Sequence, residues 1–577
     1  MQHISAPGRT ELWAAATESW ALIPAVIAFS VVVNVLMLSG PLYMLQVYDR
    51  VIPSGSEPTL VALTGLLAFF VLIMGLLDHA RSRVMSRLAA RFQDRMDRRV
   101  FAATMQRLID QPGDPIARAA QRDLEAVQHM LASPVLLAVF DIPWTPVFVA
   151  AIFVFHPYLG LLAVAGGGLL IAITLLNKIA TRAPITRTAY AAFNAEHISE
   201  QLKGEAELVQ SLGMRQSGFD RWQIARIEAQ TNSLQAGDRG GAFATLSKTL
   251  RLFLQSAMLG MGALLVLRGM MSAGAMIAGS VLLSRALAPI ETAISQWTVV
   301  QRGQLGWSRL QELLDAAPPA QSHLAMPRPR AILEVQHVTV IPPGEHQAAL
   351  RMLSFRLEPG TALGVIGSSA SGKSTLARTL TGIWRPAGGK VRLDGAALDS
   401  YDPDILASYI GYLPQRVSLF DGTIAENIAR LSESPDSAAV VAAAQAAGAH
   451  EMILELPDAY NTRISAGGGR LSGGQIQRIG LARAMYGDPL ILILDEPNSN
   501  LDNEGSQALN TAIRRMKAAG KTVLVMAHRP AAIQECDQLL LLEGGARRAF
   551  GPRDTVLREI VRNHTDILRS ANQGGVA

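Results

Sequence analysis

Long uncharged runs alternate with arginine-rich polar stretches along the first half of the chain. Between Glu18 and Asp49 lies ALIPAVIAFSVVVNVLMLSGPLYMLQV, and Pro58–Leu77 (PTLVALTGLLAFFVLIMGLL) forms a second run. Both are long enough for a hydrocarbon core that takes about 20 apolar residues to cross. The short loop around positions 49–57 makes them a hairpin. PVLLAVFDIPWTPVFVAAIFVF and PYLGLLAVAGGGLLIAITLLN follow, hinged at His156 and Pro157. Weaker runs near Leu252–Leu267 and Ala275–Gln296, punctuated or flanked by Arg251, Arg268, Arg285 and Glu291, complete six predicted spans. The intervening RSRVMSRLAARFQDRMDRRVFAATMQRLI keeps apolar residues at helical spacing, so the span helices are predicted to continue beyond the bilayer.

Membrane character is lost from about Gln301 to Arg330, where Pro318, Pro319, Pro327 and Pro329 break any continuous helix. Beyond it, VTVI, ALGVIG, LILILDE and TVLVMAH alternate with helical patterns, the signature of an α/β domain around a largely parallel sheet. The predicted order is a cytosolic segment 1–19, a six-span transmembrane domain 20–300, a linker 301–330 and an α/β domain 331–577.

Composition agrees with this division. The 577 residues are 49% hydrophobic and only 17% charged, too apolar for a soluble chain of this length. The net charge of +5 does not imply nucleic acid, because the basic residues cluster beside the apolar runs. Arg81, Arg83, Arg87, Arg91, Arg95, Arg98 and Arg99 follow the second run, which places that stretch and both termini in the cytoplasm. Cys536 is the only cysteine, so no intrachain disulfide or multi-cysteine metal site can form. The N-terminus lacks the order of a secretory signal, and the first run is predicted to be retained.

Two motifs carry chemistry. Gly367, Ser368, Ser369, Ala370, Ser371, Gly372, Lys373, Ser374 and Thr375 fit the phosphate loop G-x-x-x-x-G-K-[ST], after a strand-like and before a helix-like segment. Its backbone N–H groups cradle phosphates, Lys373 reaches the outer ones and Ser374 offers a hydroxyl to Mg²⁺. The aliphatic run Leu490–Leu494 ends in Asp495 and Glu496. Asp495 is suited to hold Mg²⁺, and Glu496 to act as general base on the attacking water.

Between them stands Leu471-Ser472-Gly473-Gly474-Gln475, and here the chain resembles the ATP-binding cassette (ABC) family. Gln415, the SNLD segment ending at Asp502, and His528 fall in that family's order. The resemblance implies that Gln415 touches Mg²⁺ and senses the membrane domain, and that His528 contacts the γ-phosphate of ATP. It also implies that Ser472, Gly473, Gly474 and Gln475 face a nucleotide held by another copy, so a homodimer of twelve spans is expected. The implied architecture is multi-domain: an all-α, six-helix, type I exporter-like membrane domain followed by an α/β P-loop nucleotide-binding domain. Two departures stand out. VTVIPPGEHQ lacks an adenine-stacking aromatic, leaving Val340 or Ile341 to pack the base, and Ser465-Ala466-Gly467 replaces a glutamate-bearing segment common in exporters.

SGPLYMLQVYDRVIPSGS, FDIPWTPVFVAAIFVFHPYLG, GYLPQRVSLFDGTIAENIAR and EPNSNLD resemble the ABC transporters of type I protein secretion, in the branch that exports proteases, lipases and haem-binding proteins without an N-terminal peptidase domain. That resemblance implies an inner-membrane pump, embedded in lipid, that passes unfolded polypeptide with a C-terminal signal to a periplasmic adaptor and an outer-membrane channel. A lipid or small-molecule exporter, or a regulatory ATPase gating a channel, are the alternatives. Asp141, Arg285 and Glu291 are candidate pathway residues, with a kink or packing role favoured for Asp141 and a helix-pairing role for Asn34.

Overall fold

The computed structural model describes residues 7–18, 20–319, 326–465, 471–527 and 533–559. They form two compact units, Met1–Pro319 and Ala320–Ala577.

The first unit is helical: α1 (Pro7–Thr17), α2 (Ile23–Leu36), α3 (Ser39–Gln46), α4 (Ile52–Ser54), α5 (Glu57–Asp110), α6 (Pro115–Leu131), α7 (Pro134–Asp141), α8 (Thr145–Phe155), α9 (Pro157–Gly204), α10 (Ala206–Ser211), α11 (Arg215–Leu267), α12 (Ala273–Ser295) and α13 (Trp297–Ala316). Six of its helical stretches are long and apolar enough to span a membrane. Proline occupies the first or second position of α2, α5, α6, α7, α8 and α9, where its missing N–H breaks no helical bond. At the predicted hinge His156 is extended, and its Nδ1 accepts a bond from the Tyr158 N–H at 3.2 Å. The arginine-rich stretch after the second run is one helix with it, since α5 runs unbroken to Asp110.

Phe148, Ile152, Leu159, Leu170, Met258, Leu282 and Leu287 form a buried core among α8, α9, α11 and α12. Small residues let the backbones approach: a Cβ on Gly166 would lie 2.6 Å from Leu254, and one on Gly262 2.6 Å from Met276. A second core joins α1, α5, α6 and α13 through Leu12, Phe92, Val100, Leu124, Leu310 and Leu314. Residues 301–316, expected in a linker, are therefore part of the last helix of this unit, which ends just before Pro318 and Pro319. The loss of membrane character there marks an amphipathic helix and not the end of the helical unit.

The intramembrane polar residues separate into distinct environments. Asp141 accepts two bonds from the Arg81 guanidinium, at 2.8 and 3.1 Å, and one from Asn34 Nδ2 at 2.7 Å. Arg81 also donates to Ser30 Oγ at 3.0 Å. Asp141 thus sits in a packing network tying α2, α5 and α7, and Arg81 is buried within the helices, unlike an arginine of an open cytoplasmic stretch. Glu291 pairs with Arg251 at 2.6 Å. Arg285 is exposed and makes no hydrogen bond or ion pair among the described residues.

The second unit holds strands β1 (Leu333–Val340), β2 (Leu350–Leu357), β3 (Ala362–Gly367), β4 (Gly388–Leu393), β5 (Ala396–Ala397), β6 (Ile410–Leu413), β7 (Gly422–Thr423), β8 (Arg463–Ile464), β9 (Ile491–Asp495), β10 (Thr522–Ala527), β11 (Gln538–Glu543) and β12 (Ala546–Pro552). Its main sheet has the order β12-β11-β3-β10-β9-β6. The pairs from β11 to β6 are all parallel, and only β12 is antiparallel. A four-stranded antiparallel sheet, β2-β1-β4-β5, packs against it through a shared core that includes Leu333, Phe355, Val365 and Leu524. Strands β9 and β10 are buried along their whole length, as a strand covered on both faces must be. The helices are α14 (Lys373–Leu380), α15 (Pro403–Tyr409), α16 (Ile424–Ile428), α17 (Ser437–Ala446), α18 (His450–Leu454), α19 (Gly473–Met485) and α20 (Asn503–Ala518).

Candidate functional site

The sheet register brings the first cluster together. Met526 of β10 stands opposite Val365 of β3 on one side and Asp495 of β9 on the other. The phosphate loop leaving β3 and the acidic pair leaving β9 therefore emerge at one carboxyl edge of a parallel sheet, where ligands bind in open α/β folds.

Gly367 ends β3, and a Cβ there would fall 2.5 Å from Leu542 O and from Ser371 Oγ. The loop through Ser368, Ser369, Ala370 and Ser371 turns on a bond from the Ser371 N–H to Ser368 O at 3.2 Å. Gly372 has φ +98°, a conformation open to glycine, and its own Cβ would strike Ala349 O at 2.7 Å. Lys373 begins α14, which carries Ser374 and Thr375 in its first turn. Its ammonium donates to Gly367 O at 2.9 Å and Ser368 O at 2.8 Å, so it closes the loop from within.

Burial lowers the Lys373 pKa, opposed by the negative charges of Glu496 and Asp495. Burial raises that of Asp495; the Ser374 hydroxyl pulls it down and the Glu496 charge pushes it further up. Among the described residues Asp495 Oδ1 is buried without a hydrogen-bond partner. A buried carboxylate oxygen left open beside a hydroxyl fits a hard divalent cation, which takes oxygen ligands. Gln415 Nε2 donates to Glu496 Oε2 at 3.0 Å, which brings a further amide to the same place. Glu496 itself has φ +50°, and its N–H donates to Met526 O at 3.0 Å, a sharp turn directly after the strand.

The signature residues form a second cluster. Ser472 caps α19: its Oγ accepts from the Gln475 N–H at 3.3 Å, and Gln475 Oε1 accepts from the Ser472 N–H at 2.9 Å. Gly473 and Gly474 open the helix against Asn500, whose carbonyl oxygen would lie 3.1 Å from a Cβ on Gly474. Asp502 caps α20 by accepting from the Gly505 N–H at 2.7 Å. Among the described residues no hydrogen bond or ion pair joins Ser472–Gln475 to the phosphate loop. His528 and residues 466–470 lie outside the described residues. Of the two aliphatics considered for adenine, Val340 is fully buried in the domain core and cannot meet a ligand, whereas Ile341 is exposed.

Sequence reasoning passed over two residues. Gln477 is buried and donates to Pro497 O at 3.1 Å, fastening the signature helix to the turn that follows Glu496. Tyr412 is held neutral by burial and by the Asp495 charge, with Arg378 opposing. The available signal was polar residues on an apolar strand or on the buried side of a helix, too common to single them out.

Residues 23–289 match the ABC transporter transmembrane region and residues 350–499 the ABC transporter family. Over 533 residues, 92% of each chain, the sequence is 42% identical to the type I secretion system ATP-binding protein PrsD of Rhizobium meliloti (strain 1021). The chain belongs to the ABC transporters of type I secretion. The transporter is a multi-pass membrane protein and an ATPase coupled to transport. It is also 30% identical, over 93% of its length and 76% of that relative, to the cyclolysin secretion/processing ATP-binding protein CyaB of Bordetella pertussis (strain Tohama I). Its fold matches that of a bacterial Atm1-family ABC exporter with ATP bound, with a TM-score of 0.80 over 96% of this chain and 98% of the other; at 22% identity the fold alone is shared. The expected architecture, a helical exporter domain followed by a P-loop ATPase domain, holds.

Proposed function

We propose that the transporter uses ATP to move unfolded polypeptide out of the cytoplasm, as the energy-converting part of a type I secretion machine. The observation that carries the ATPase half of this reading is the convergence of Lys373, Ser374, Gln415, Asp495 and Glu496 at one edge of the sheet. The phosphate loop N–H groups and Lys373 bind the phosphates of ATP. Lys373 exchanges its bonds to Gly367 O and Ser368 O for phosphate oxygens. Ser374, Gln415 and Asp495 are the residues to hold Mg²⁺, which when bound neutralises phosphate charge. Glu496, aligned by Gln415, accepts a proton from the attacking water.

The separation of the two clusters supports a homodimer. The N-terminal end of α19, a helix of 13 residues, offers free N–H groups and positive potential to an anion. Facing the phosphate loop of a second copy, Ser472–Gln475 complete its site, and ATP joins the two. Polypeptide cargo is supported by similarity to PrsD over nearly the whole chain. The inner membrane, cytosolic termini, a periplasmic adaptor and an outer-membrane channel follow from the same kinship.

The test is secretion of a partner polypeptide by cells carrying the intact transporter or its Lys373→Ala form. Export is expected from the first and absent from the second; equal export by both contradicts the proposal.

A further inference from the structure

Arg285 lies deep in a span helix and, among the described residues, is engaged by no hydrogen bond or ion pair. Arg285 is the thirteenth of the 23 residues of α12. At 1.5 Å per residue it stands roughly 18 Å from one end of the helix and about 15 Å from the other. That is close to the bilayer midplane, beyond the reach of a side chain stretching to the interface.

One side of α12 is packed away. Leu282, Leu283, Ala286 and Leu287 are at most 2% exposed and belong to the core shared with α8, α9 and α11. Ser284 accepts a bond from Arg251 at 3.2 Å. The opposite side carries Arg285, Ala288 and Thr292 at helical spacing, and the guanidinium has no partner among the described residues.

The neighbouring span helices present a different surface. Their uncovered faces carry large apolar side chains: Leu72 on α5 is 72% exposed, Val154 on α8 84% and Phe253 on α11 66%. Among the described residues α12 exposes no large hydrophobic side chain. A face in contact with acyl chains is apolar, and intramembrane arginines face protein or water-filled cavities. We infer that the Arg285 face of α12 lines a water-filled passage, where the guanidinium meets carboxylate groups of the polypeptide in transit. This rests on the export reading for its occupant but not for its water. The occupant follows from charge complementarity, since a planar guanidinium binds carboxylates through paired hydrogen bonds.

The chain lends itself to the test, because its single cysteine, Cys536, is buried with its thiol pushed up to about 12 and is inert to thiol reagents. Full-length Arg285→Cys, Ala288→Cys and Thr292→Cys are reconstituted in lipid nanodiscs and treated with water-soluble methanethiosulfonates. Leu169→Cys, equally deep in α9 and 51% exposed, serves as the lipid-facing control. Labelling of the α12 positions with the control spared is expected. Ala288→Cys and Thr292→Cys keep the test intact if Arg285→Cys does not fold. At Ala288→Cys an anionic reagent should outpace a cationic one, and adding Arg285→Gln should reduce that preference roughly fivefold, as a unit charge about 8 Å away in water dictates. Unlabelled α12 positions, labelling no faster than the control, or an unchanged preference would each overturn the inference. Failure of the export reading shows separately, as secretion that survives Lys373→Ala.

Discussion

Replacing Arg81 should destabilise the membrane unit more than any surface change of the same size. The Arg81 side chain is 6% exposed and that of Asp141 15%. Their two-pronged contact, at 2.8 and 3.1 Å, is joined by Asn34 Nδ2 at 2.7 Å. Arg81→Met removes two charge-assisted bonds and leaves a carboxylate with one amide donor. Breaking a buried pair from one side costs about 3–5 kcal/mol. Asp141→Leu should cost less, about 1.5–3 kcal/mol, the scale of a hydrogen bond to a charged group. Arg81 keeps Ser30 Oγ at 3.0 Å and Asp78, 57% exposed, at 2.7 Å. Arg81→Met/Asp141→Leu removes both charges and should return to within about 1–2 kcal/mol of the parent, since apolar replacement of a whole buried pair is often neutral. Thermal or denaturant unfolding of the purified transporter in detergent, run as a double-mutant cycle, measures this. Two single losses below about 1 kcal/mol that simply add would refute a buried, coupled pair.

Further outcomes follow from the ATPase unit. With its pKa lowered by burial, Lys373 loses its proton below the ordinary lysine value of 10.5 as pH rises, so in the alkaline range where it is neutral nucleotide binding takes a proton up. Affinity should fall across the alkaline range by at most about tenfold per pH unit, with buffer-dependent heats in calorimetry, and Lys373→Arg should show neither effect. Asp495→Asn should raise the Mg²⁺ concentration needed for half-maximal hydrolysis by at least about tenfold, measured by metal titration of ATPase activity. Because burial holds the Asp495 pKa above 3.8, protons should compete with metal at a higher pH than at an ordinary aspartate. Gln477→Leu leaves Pro497 O unpaired in the interior and should lower ATPase-unit stability by about 1–3 kcal/mol, read from the unfolding midpoint.

Much of this was legible in the sequence because the bilayer and phosphate binding each impose strong local rules. A run such as 58–77 needs only length and the absence of charge to be recognised, and Gly372-Lys373-Ser374 after a buried strand admits few other uses. The end of the membrane unit was not legible, because α13 is amphipathic and its core partners Phe92 and Leu124 come from remote helices. The Arg81–Asp141 contact joins residues 60 apart in sequence, and nothing local distinguished Arg81 from the arginines that follow. Val340 was offered for the base because a strand end reads alike whether its last residue points into the core or out of it. The bonding of Gln415 to Glu496, 81 residues apart, depends on the register of β6 beside β9, which no spacing rule contains.

A composite ATP site between two copies, with Glu496 as its base, underlies the proposed transport. The most direct measurement is ATP turnover and stoichiometry of purified Glu496→Gln. Turnover should fall about 10²–10⁴-fold, the usual contribution of a general base. A stable closed dimer that retains two ATP per pair of chains should accumulate. Hydrolysis at the parent rate, or ATP retained by single chains, would contradict that composite site.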